Sequence, residues 1–472
     1  MKKTPANKLG NQSIGKLLFD MAYPAIVAQL VNVLYNVVDR IYIGHIPGIG
    51  AEALTGVGIT LPLIMAITAF SSLISMGGAP MACIRMGRGE PEEAEKILGN
   101  CLVALVVLAA ALTATLLIFG KSLLMFFGAS QYTIGFALGF LRIYACGTLF
   151  VQLALGLNVF ITAQGFAKIG MLTVLSGALF SIILDPLFIF AFGMGVKGAA
   201  LANVIAQAVS AAWVVHFLTG KKTLLKIRRK YLKNDFKVLL PCMALGLSPF
   251  IMQLTECLLV IAFNSSLHKY GSDLAVGAMT ILSSIMQINT LPITGLTQGA
   301  NPIISFNYGA GNPARVKKTF LLLFKVSLAY SFGLWLVTMV FPQVFIQLFT
   351  NDPKLLHFTV RALRIYMAAS LLLGMQIICQ QTFIALGNAK NSIFLALLRK
   401  VFLLIPLIYI LPLFLADKIT AIFLAEPLAD LLAVTVTGIT FAVEFRKTLK
   451  KLKPIPVENS NLDIKANPSC IK

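Results

Sequence analysis

Four polar side chains interrupt an apolar stretch near the start of this 472-residue sequence: Gln29, Asn32, Asn36 and Asp39. Their spacing of 3, 4 and 3 residues gathers them on one face of a helix. A carboxylate on an amide-bearing face can take a proton or coordinate an alkali cation. In apolar surroundings it also needs a partner or a water-filled cavity. Related clusters follow. Ser181 and Asp185 are four residues apart, with Pro186 directly after, and Asn203, Gln207 and Ser210 keep the helical spacing. Gln253 and Glu256 are three apart, just beyond Pro249. Glu426-Pro427 and Asp430 place two more acids near the C-terminus, where bracing the last helix is the simplest role.

The surroundings of these residues are set by composition. Hydrophobic residues make up 58% of the chain and charged ones 12%, whereas a soluble domain carries about a quarter charged residues. That excludes an ordinary soluble enzyme, a disordered chain and a nucleic-acid binder. Seven cysteines without regular spacing form neither a disulfide framework nor a zinc site. The four histidines, His45, His216, His268 and His357, are scattered. Gly120-Lys121-Ser122 ends like a phosphate-binding loop, but Thr115 stands where that motif needs glycine. No cofactor and no nucleic-acid partner is expected.

Stretches long enough to cross about 30 Å of hydrocarbon as helices are expected at 17–43, 53–78, 97–119, 136–160, 169–190, 198–218, 238–263, 274–297, 317–341, 358–382, 393–415 and 418–442. The formal net charge of +21 is distributed unevenly along this pattern. With a cytoplasmic N-terminus, 29 of the 39 Lys and Arg residues fall to the inner side, counting Arg399 and Lys400 with the inner segments. The outer side receives Lys121, Lys197, Lys269, Lys354, Arg361 and Lys418, while Arg40, Arg142, Lys325 and Arg364 fall within spans. The positive-inside rule then puts both termini in the cytoplasm. The basic loop 219–237 is an orientation anchor between two halves, 1–218 and 238–445, with a cytoplasmic tail at 446–472.

The halves repeat at a constant shift of 222 residues. Leu141-Arg142-Ile143-Tyr144 recurs as Leu363-Arg364-Ile365-Tyr366, and Gly77 and Pro80 recur as Gly299 and Pro302. Gly87, Gly89, Pro91 and Lys96 match Gly309, Gly311, Pro313 and Lys318; Gly165, Ala167 and Lys168 match Gly387, Ala389 and Lys390. Six spans separate the equivalents, so both halves have the same topology. The expected fold is all-α, with twelve membrane helices in two six-helix lobes related by a pseudo-twofold along the membrane normal. A cavity between the lobes suits alternating access. Asp39, Asp185 and Glu256 then lie four to seven residues from the outer ends of their spans, about 6–10 Å into the membrane. Asp39 and Asp185, in one lobe, share a proton or a sodium ion. Glu256, in the other, is a cavity residue, a second site or a hydrogen-bonding partner of a neighbouring helix. Gln287, Gln376 and Gln380 sit on polar stripes of the kind that join helices.

These residues resemble the multidrug and toxic compound extrusion (MATE) family, in its bacterial antimicrobial-exporting branch. The resemblance rests on Pro24 with Tyr35-Asn36-Val37-Val38-Asp39, on Gln298-Gly299 with Pro302, and on Asn307-Tyr308-Gly309-Ala310-Gly311. Leu184-Asp185-Pro186-Leu187, Gly198-Ala199-Ala200-Leu201-Ala202 and the two Gly-x-Ala-Lys turns extend it over about residues 15–445. It implies antiport of organic, often cationic, compounds against protons or sodium. Cation coupling would fall to Asp39 and Asp185, with Asn36, Ser181 and Asn203 around them. Candidates for the substrate cavity are Glu256, Gln253, Asn32 and Gln287. Two departures stand out: Ser181 and Asn203 occupy positions where the family often has Asn and Thr, and Gln376 and Gln380 stand near a tenth-helix acid of some sodium-linked members.

The expected protein is thus a monomeric antiporter of the cytoplasmic membrane, in contact with lipid and small-molecule drugs. The main alternative is a flippase for a lipid-linked or amphiphilic metabolite on a related fold. Against it stands the lack of a basic stripe in the first lobe. A membrane-embedded enzyme would need a catalytic cluster of His, Cys or carboxylate side chains, and the sequence shows none.

Overall fold

The structure is a computed structural model and describes residues 5–271, 273–350 and 352–452. The expected tail lies outside the described residues from 453 onward. Among the described residues there are helices and turns but no β-strand. In hydrocarbon this is the economical solution, since a helix pairs its own backbone donors and acceptors.

The first half contains α1 (Pro5–Asn11), α2 (Ile14–Gly44), α3 (Gly50–Gly87), α4 (Pro91–Phe126), α5 (Ile134–Cys146), α6 (Thr148–Ala163), α7 (Ala167–Pro186) and α8 (Val196–Thr219). After the basic connection come α9 (Phe236–Tyr270), α10 (Asp273–Gly309), α11 (Pro313–Val340), α12 (Pro342–Gln347), α13 (Pro353–Tyr366) and α14 (Ser370–Ala385). The chain ends in α15 (Ala389–Leu397), α16 (Ile405–Phe414) and α17 (Lys418–Lys451). A π-helical stretch, Leu398–Leu404, joins α15 to α16 in one span, and a shorter one extends α7 to Ala191.

Local signals explain the boundaries. Proline opens α4, α11 and α13, where its missing N–H costs nothing. Asn312, Asp352, Asn388 and Asp417 cap the helices that follow them by accepting from backbone N–H groups. Gly89 and Gly311 end equivalent turns at φ +79° and +67°, a conformation that side-chain-bearing residues rarely adopt.

Among the described residues, ten helices are long and apolar enough to cross a membrane, and two bent pairs, each taken as one span, bring the number to twelve. The bent pairs correct the expectation of single helices at 136–160 and 358–382: α5 meets α6 at 57°, and α13 meets α14 at 49°. The first break falls at Gly147, where a Cβ would stand 2.4 Å from a methyl of Val204 on α8. The second falls at the equivalent place, just before Ser370. Other helices outrun the expected spans, α3 reaching Gly87 and α10 reaching Gly309. Hydropathy marks the lipid-crossing part of a helix, whereas hydrogen bonding carries the helix beyond it.

The repeat is visible in the helix starts. Pro91, Thr148, Ala167 and Val196 begin α4, α6, α7 and α8, and the residues 222 further on begin α11, α14, α15 and α17. The two lobes cross through small residues at the end of the molecule that carries the basic connection. On α3 and α9, a Cβ at Gly77 would lie 1.9 Å from the Cys242 carbonyl, and one at Gly246 would lie 1.9 Å from that of Leu73. On α2 and α10, Gly299 packs against Ala22 and Gly295 against Ile26. Among the described residues, hydrogen bonds between the lobes reach no further toward the opposite end than Met65 and Cys257. The hydrogen bonds and close glycine contacts between the lobes thus gather toward the basic end.

The basic connection is itself folded down. Gln164 Oε1 accepts from the Thr223 hydroxyl and from the N–H groups of Leu224 and Leu225, at 2.8–2.9 Å. Arg228 pairs with buried Glu95 at 2.6 Å, and the Asp235 N–H donates to Asn100 at 2.7 Å. At the N-terminus, Arg315 donates to the carbonyls of Leu9 and Gln12 at 3.1 and 2.9 Å, closing the free C-terminal end of α1 against the second lobe.

Candidate functional site

Asp39 on α2 and Asp185 on α7 are both buried, at 7% and 1% exposure. The extensive packing of α2 against α7 brings them together, and they lie close enough to repel each other when both are ionised. The Ser181 hydroxyl donates to Asp185 Oδ2 at 3.3 Å. Oδ1 of each acid has no hydrogen-bond partner. Among the described residues, no Lys, Arg or His forms an ion pair with either of them, Arg40 included. An ionised carboxylate out of water without a counter-charge is costly, so the two acids are not both held in their ionised form without compensation. Every donor atom here is an oxygen, the type that hard cations prefer.

Asn32, Ser181 and Asn203 line a small cavity of about 30 Å³ beside the pair, together with Tyr35 and Gln207. Asn36 stands apart. It is exposed, and its amide donates to the Asn32 carbonyl at 2.6 Å, so it bonds to neither acid. Tyr35 and Tyr144 are within electrostatic range of Asp39. Tyr144 belongs to the repeated Leu-Arg-Ile-Tyr segment, whose recurrence pointed to architecture and not to this site. Through Pro24, α2 continues unbroken.

The second lobe is built differently. Arg399 donates from Nε to Asp430 at 2.6 Å and from Nη2 to Glu426 at 2.9 Å. Lys400 Nζ binds Glu256 and also donates to the Met252 carbonyl at 3.2 Å. This corrects the charge tally: Arg399 and Lys400, counted on the inner side, are buried within the lobe. The signal for them was present, since both numbers lie inside the eleventh expected span. Their cost in the bilayer is met by acids on α9 and α17, which the sequence alone did not pair with them.

Gln253, expected in the substrate cavity, is spent on joining the lobes. Its Nε2 donates to Ser72 at 2.8 Å, and its Oε1 accepts from Thr68 at 3.4 Å. The amide of Gln380 likewise joins α14 to α9 through Ser248, at 2.9 Å. Gln287 is exposed on α10. Asn289, two residues on, is fully buried with both amide atoms unpartnered, and its place beside Gln287 and Thr290 did not mark it in the sequence.

A second cavity, of about 110 Å³, lies on the pseudo-twofold between the lobes. Equivalent positions supply its two walls with different chemistry. Met76, Ala79 and Val159 stand on the first-lobe side where Gln298, Asn301 and Gln381 stand on the other. Asn301 donates to Gln381 at 3.3 Å and leaves its own carbonyl oxygen unpartnered.

Known proteins share this architecture. The MatE family description matches residues 24–187 and 249–410, one stretch in each lobe. The chain belongs to the MatE family. It is therefore a multi-pass membrane transporter and not an enzyme. It is 26% identical over 449 residues to the multidrug export protein MepA of Staphylococcus haemolyticus, covering 94% of this chain and 97% of that protein. The identity to MepA of Staphylococcus aureus is 24% over 429 residues, covering 89% and 93%. Among solved structures, the fold matches a crystal structure of MATE in the bent conformation with a TM-score of 0.89 and 22% identity, covering 95% of this chain and 99% of that one. The straight conformation matches with a TM-score of 0.87 and 22% identity, covering 94% and 98%.

Proposed function

We propose that this MatE-family transporter exports amphiphilic, mostly cationic drugs from the cell in exchange for a proton or a sodium ion. The observation that carries this reading is the buried Asp39–Asp185 pair, with an unpartnered oxygen on each acid and, among the described residues, no ion pair to a basic side chain. A cation entering between them neutralises the repulsion and fills the vacant coordination. Because Asp39 sits on α2, which packs against both α7 and α10, that event acts on a helix touching both lobes. Cation and drug need only prefer different states of that helix for one gradient to drive the other.

The cavity on the pseudo-twofold supports an amphiphilic cargo, setting apolar Met76, Ala79 and Val159 against the amides of Gln298, Asn301 and Gln381, with Asn158 and Thr162 adding polar groups on the first-lobe side. The names of the staphylococcal relatives point the same way. The charge distribution of the sequence favours a cell-membrane protein with both termini and the 219–237 connection in the cytoplasm. In that orientation, the junction of the lobes at the basic end makes this an outward-facing state. The protein acts as a monomer, each chain holding both lobes of the pathway.

The test is gradient-driven efflux in proteoliposomes. Asp39→Asn and Asp185→Asn should each abolish drug movement driven by a proton or sodium gradient while leaving expression and folding intact. Full transport by both variants would remove the assignment.

A further inference from the structure

The same repeat that makes the lobes alike in backbone makes their charges unlike. The second-lobe cluster of Glu256, Arg399, Lys400, Glu426 and Asp430 corresponds, at the shift of 222, to Leu34, Gly177, Ala178, Val204 and Ala208 in the first. Conversely, Asp39 and Asp185 correspond to Ile261 and Leu407. Gly177 and Ala178 line the small first-lobe cavity next to Ser181 and Asn203. Where the first lobe leaves space, the second inserts a guanidinium and an ammonium.

Those two cations satisfy three acids. Arg399 is held by Asp430 and Glu426, all three buried, which fixes the start of the π-helical stretch. That fixes the next residue too. Lys400 is 3% exposed at its side chain, while Glu256 keeps 57% of its own accessible. The only carboxylate of the cluster that an outside ion could reach is thus already engaged by an ammonium on the protein.

We propose that Lys400 is a tethered cation that keeps Glu256 occupied, so that the second lobe takes no exogenous coupling ion. The lobes are then unequal by construction: the first exchanges its cation with solution, and the second carries its cation covalently through the whole cycle. Arg399 is a positioning residue, acting through Lys400. A lysine cannot leave the lobe, so the carboxylate is never left uncompensated. This inference rests on the reading of Asp39 and Asp185 as the exchangeable site, and its test separates the two.

The test counts cations bound per chain on the purified full-length protein, using radioactive sodium at equilibrium and, in parallel, indicator-dye proton uptake. Lys400→Met should bind about one cation more than the wild type, in at least one of the two assays, and the double variant Lys400→Met/Glu256→Gln should return to the wild-type count. Lys400→Arg should match the wild type, since it restores the charge. Glu256→Gln alone should also match it, because in the wild type that carboxylate binds no outside ion. An unchanged count for folded Lys400→Met would overturn the inference. So would a cation lost on Glu256→Gln, a measurement that stands even if the lysine variants fail to fold. A wild-type count in Asp39→Asn would instead overturn the reading of the first lobe.

Discussion

Gly87 and Gly309 are reciprocal partners across the pseudo-twofold. A Cβ on Gly87 would stand 2.1 Å from the Phe306 carbonyl oxygen, and one on Gly309 would stand 2.0 Å from that of Ile84. Ile84 and Phe306 are themselves 222 residues apart, so each lobe contributes the same donor of space and the same occupant. Such closeness is available only without side chains, and it holds the basic end of the molecule shut.

Substituting either glycine should therefore unbalance the conformational cycle. Overpacking a tight contact costs about 1–3 kcal/mol. In Gly87→Val or Gly309→Val, that falls on the state closed at the basic end alone and shifts its population by about fivefold to a hundredfold. Spin labels on the ends of α3 and α10 should report a longer mean distance, with efflux reduced and expression maintained. An unchanged distance distribution would show that the glycine contact does not control closure.

The two-faced cavity predicts a separation of kinetic effects. Asn301→Leu removes an amide and its free acceptor from the polar wall while preserving volume. A hydrogen bond contributes about 0.5–1.5 kcal/mol, so the KM for a cationic drug should rise severalfold while the maximal rate changes little. Met76→Leu, on the apolar wall, should leave both close to wild type. Equal KM values for Asn301→Leu and wild type across several cationic drugs would place the substrate elsewhere.

Asp417 gives a pH dependence outside the bilayer. It caps α17, accepting from the Thr420 N–H at 3.1 Å and from the Thr420 hydroxyl at 2.6 Å. These hydrogen bonds hold its carboxyl below the ordinary aspartate range. A depressed folded-state value means that the contribution is present above the unfolded value near 3.8 and is lost as pH falls through the lower one. Asp417→Ala should cost about 0.5–2 kcal/mol of helix stability at neutral pH. The difference in melting temperature from wild type should shrink as pH is lowered below 3.8.

Much of this molecule was legible in the sequence. Apolar runs gave the spans, since hydropathy is a local property, and glycine and proline at one repeated shift gave the two lobes. Asp39 and Asp185 stood out because a carboxylate is conspicuous in apolar surroundings. What escaped notice depends on contacts between distant segments. The bends between α5 and α6 and between α13 and α14 are set by neighbouring helices, which no apolar run encodes. Arg399 and Lys400 passed as loop charges because their three acidic partners lie on α9 and α17, far away in the chain. Gln253 was placed in the cavity because a polar stripe does not reveal that Ser72 and Thr68 face it.

The 219–237 connection gives the last prediction. Its eight basic residues mark it as an orientation anchor, yet its first part is held by an uncharged side chain. Gln164 Oε1 accepts from the N–H groups of Leu224 and Leu225 and shares the Thr223 hydroxyl with the Leu225 carbonyl, and Thr223 and Leu225 are buried. Gln164→Leu preserves volume but strands the two N–H donors, at about 1–3 kcal/mol for each that water cannot reach. The connection should then lift from the first lobe. Limited trypsin digestion should cut at Lys221–Arg229 faster than in the wild type, with a lower melting temperature. Removing the Arg228–Glu95 pair with Arg228→Ala should have a smaller effect, because that guanidinium is half-exposed and screened by solvent. If the arginine variant proves the more sensitive of the two, charge and not the glutamine amide holds the connection in place.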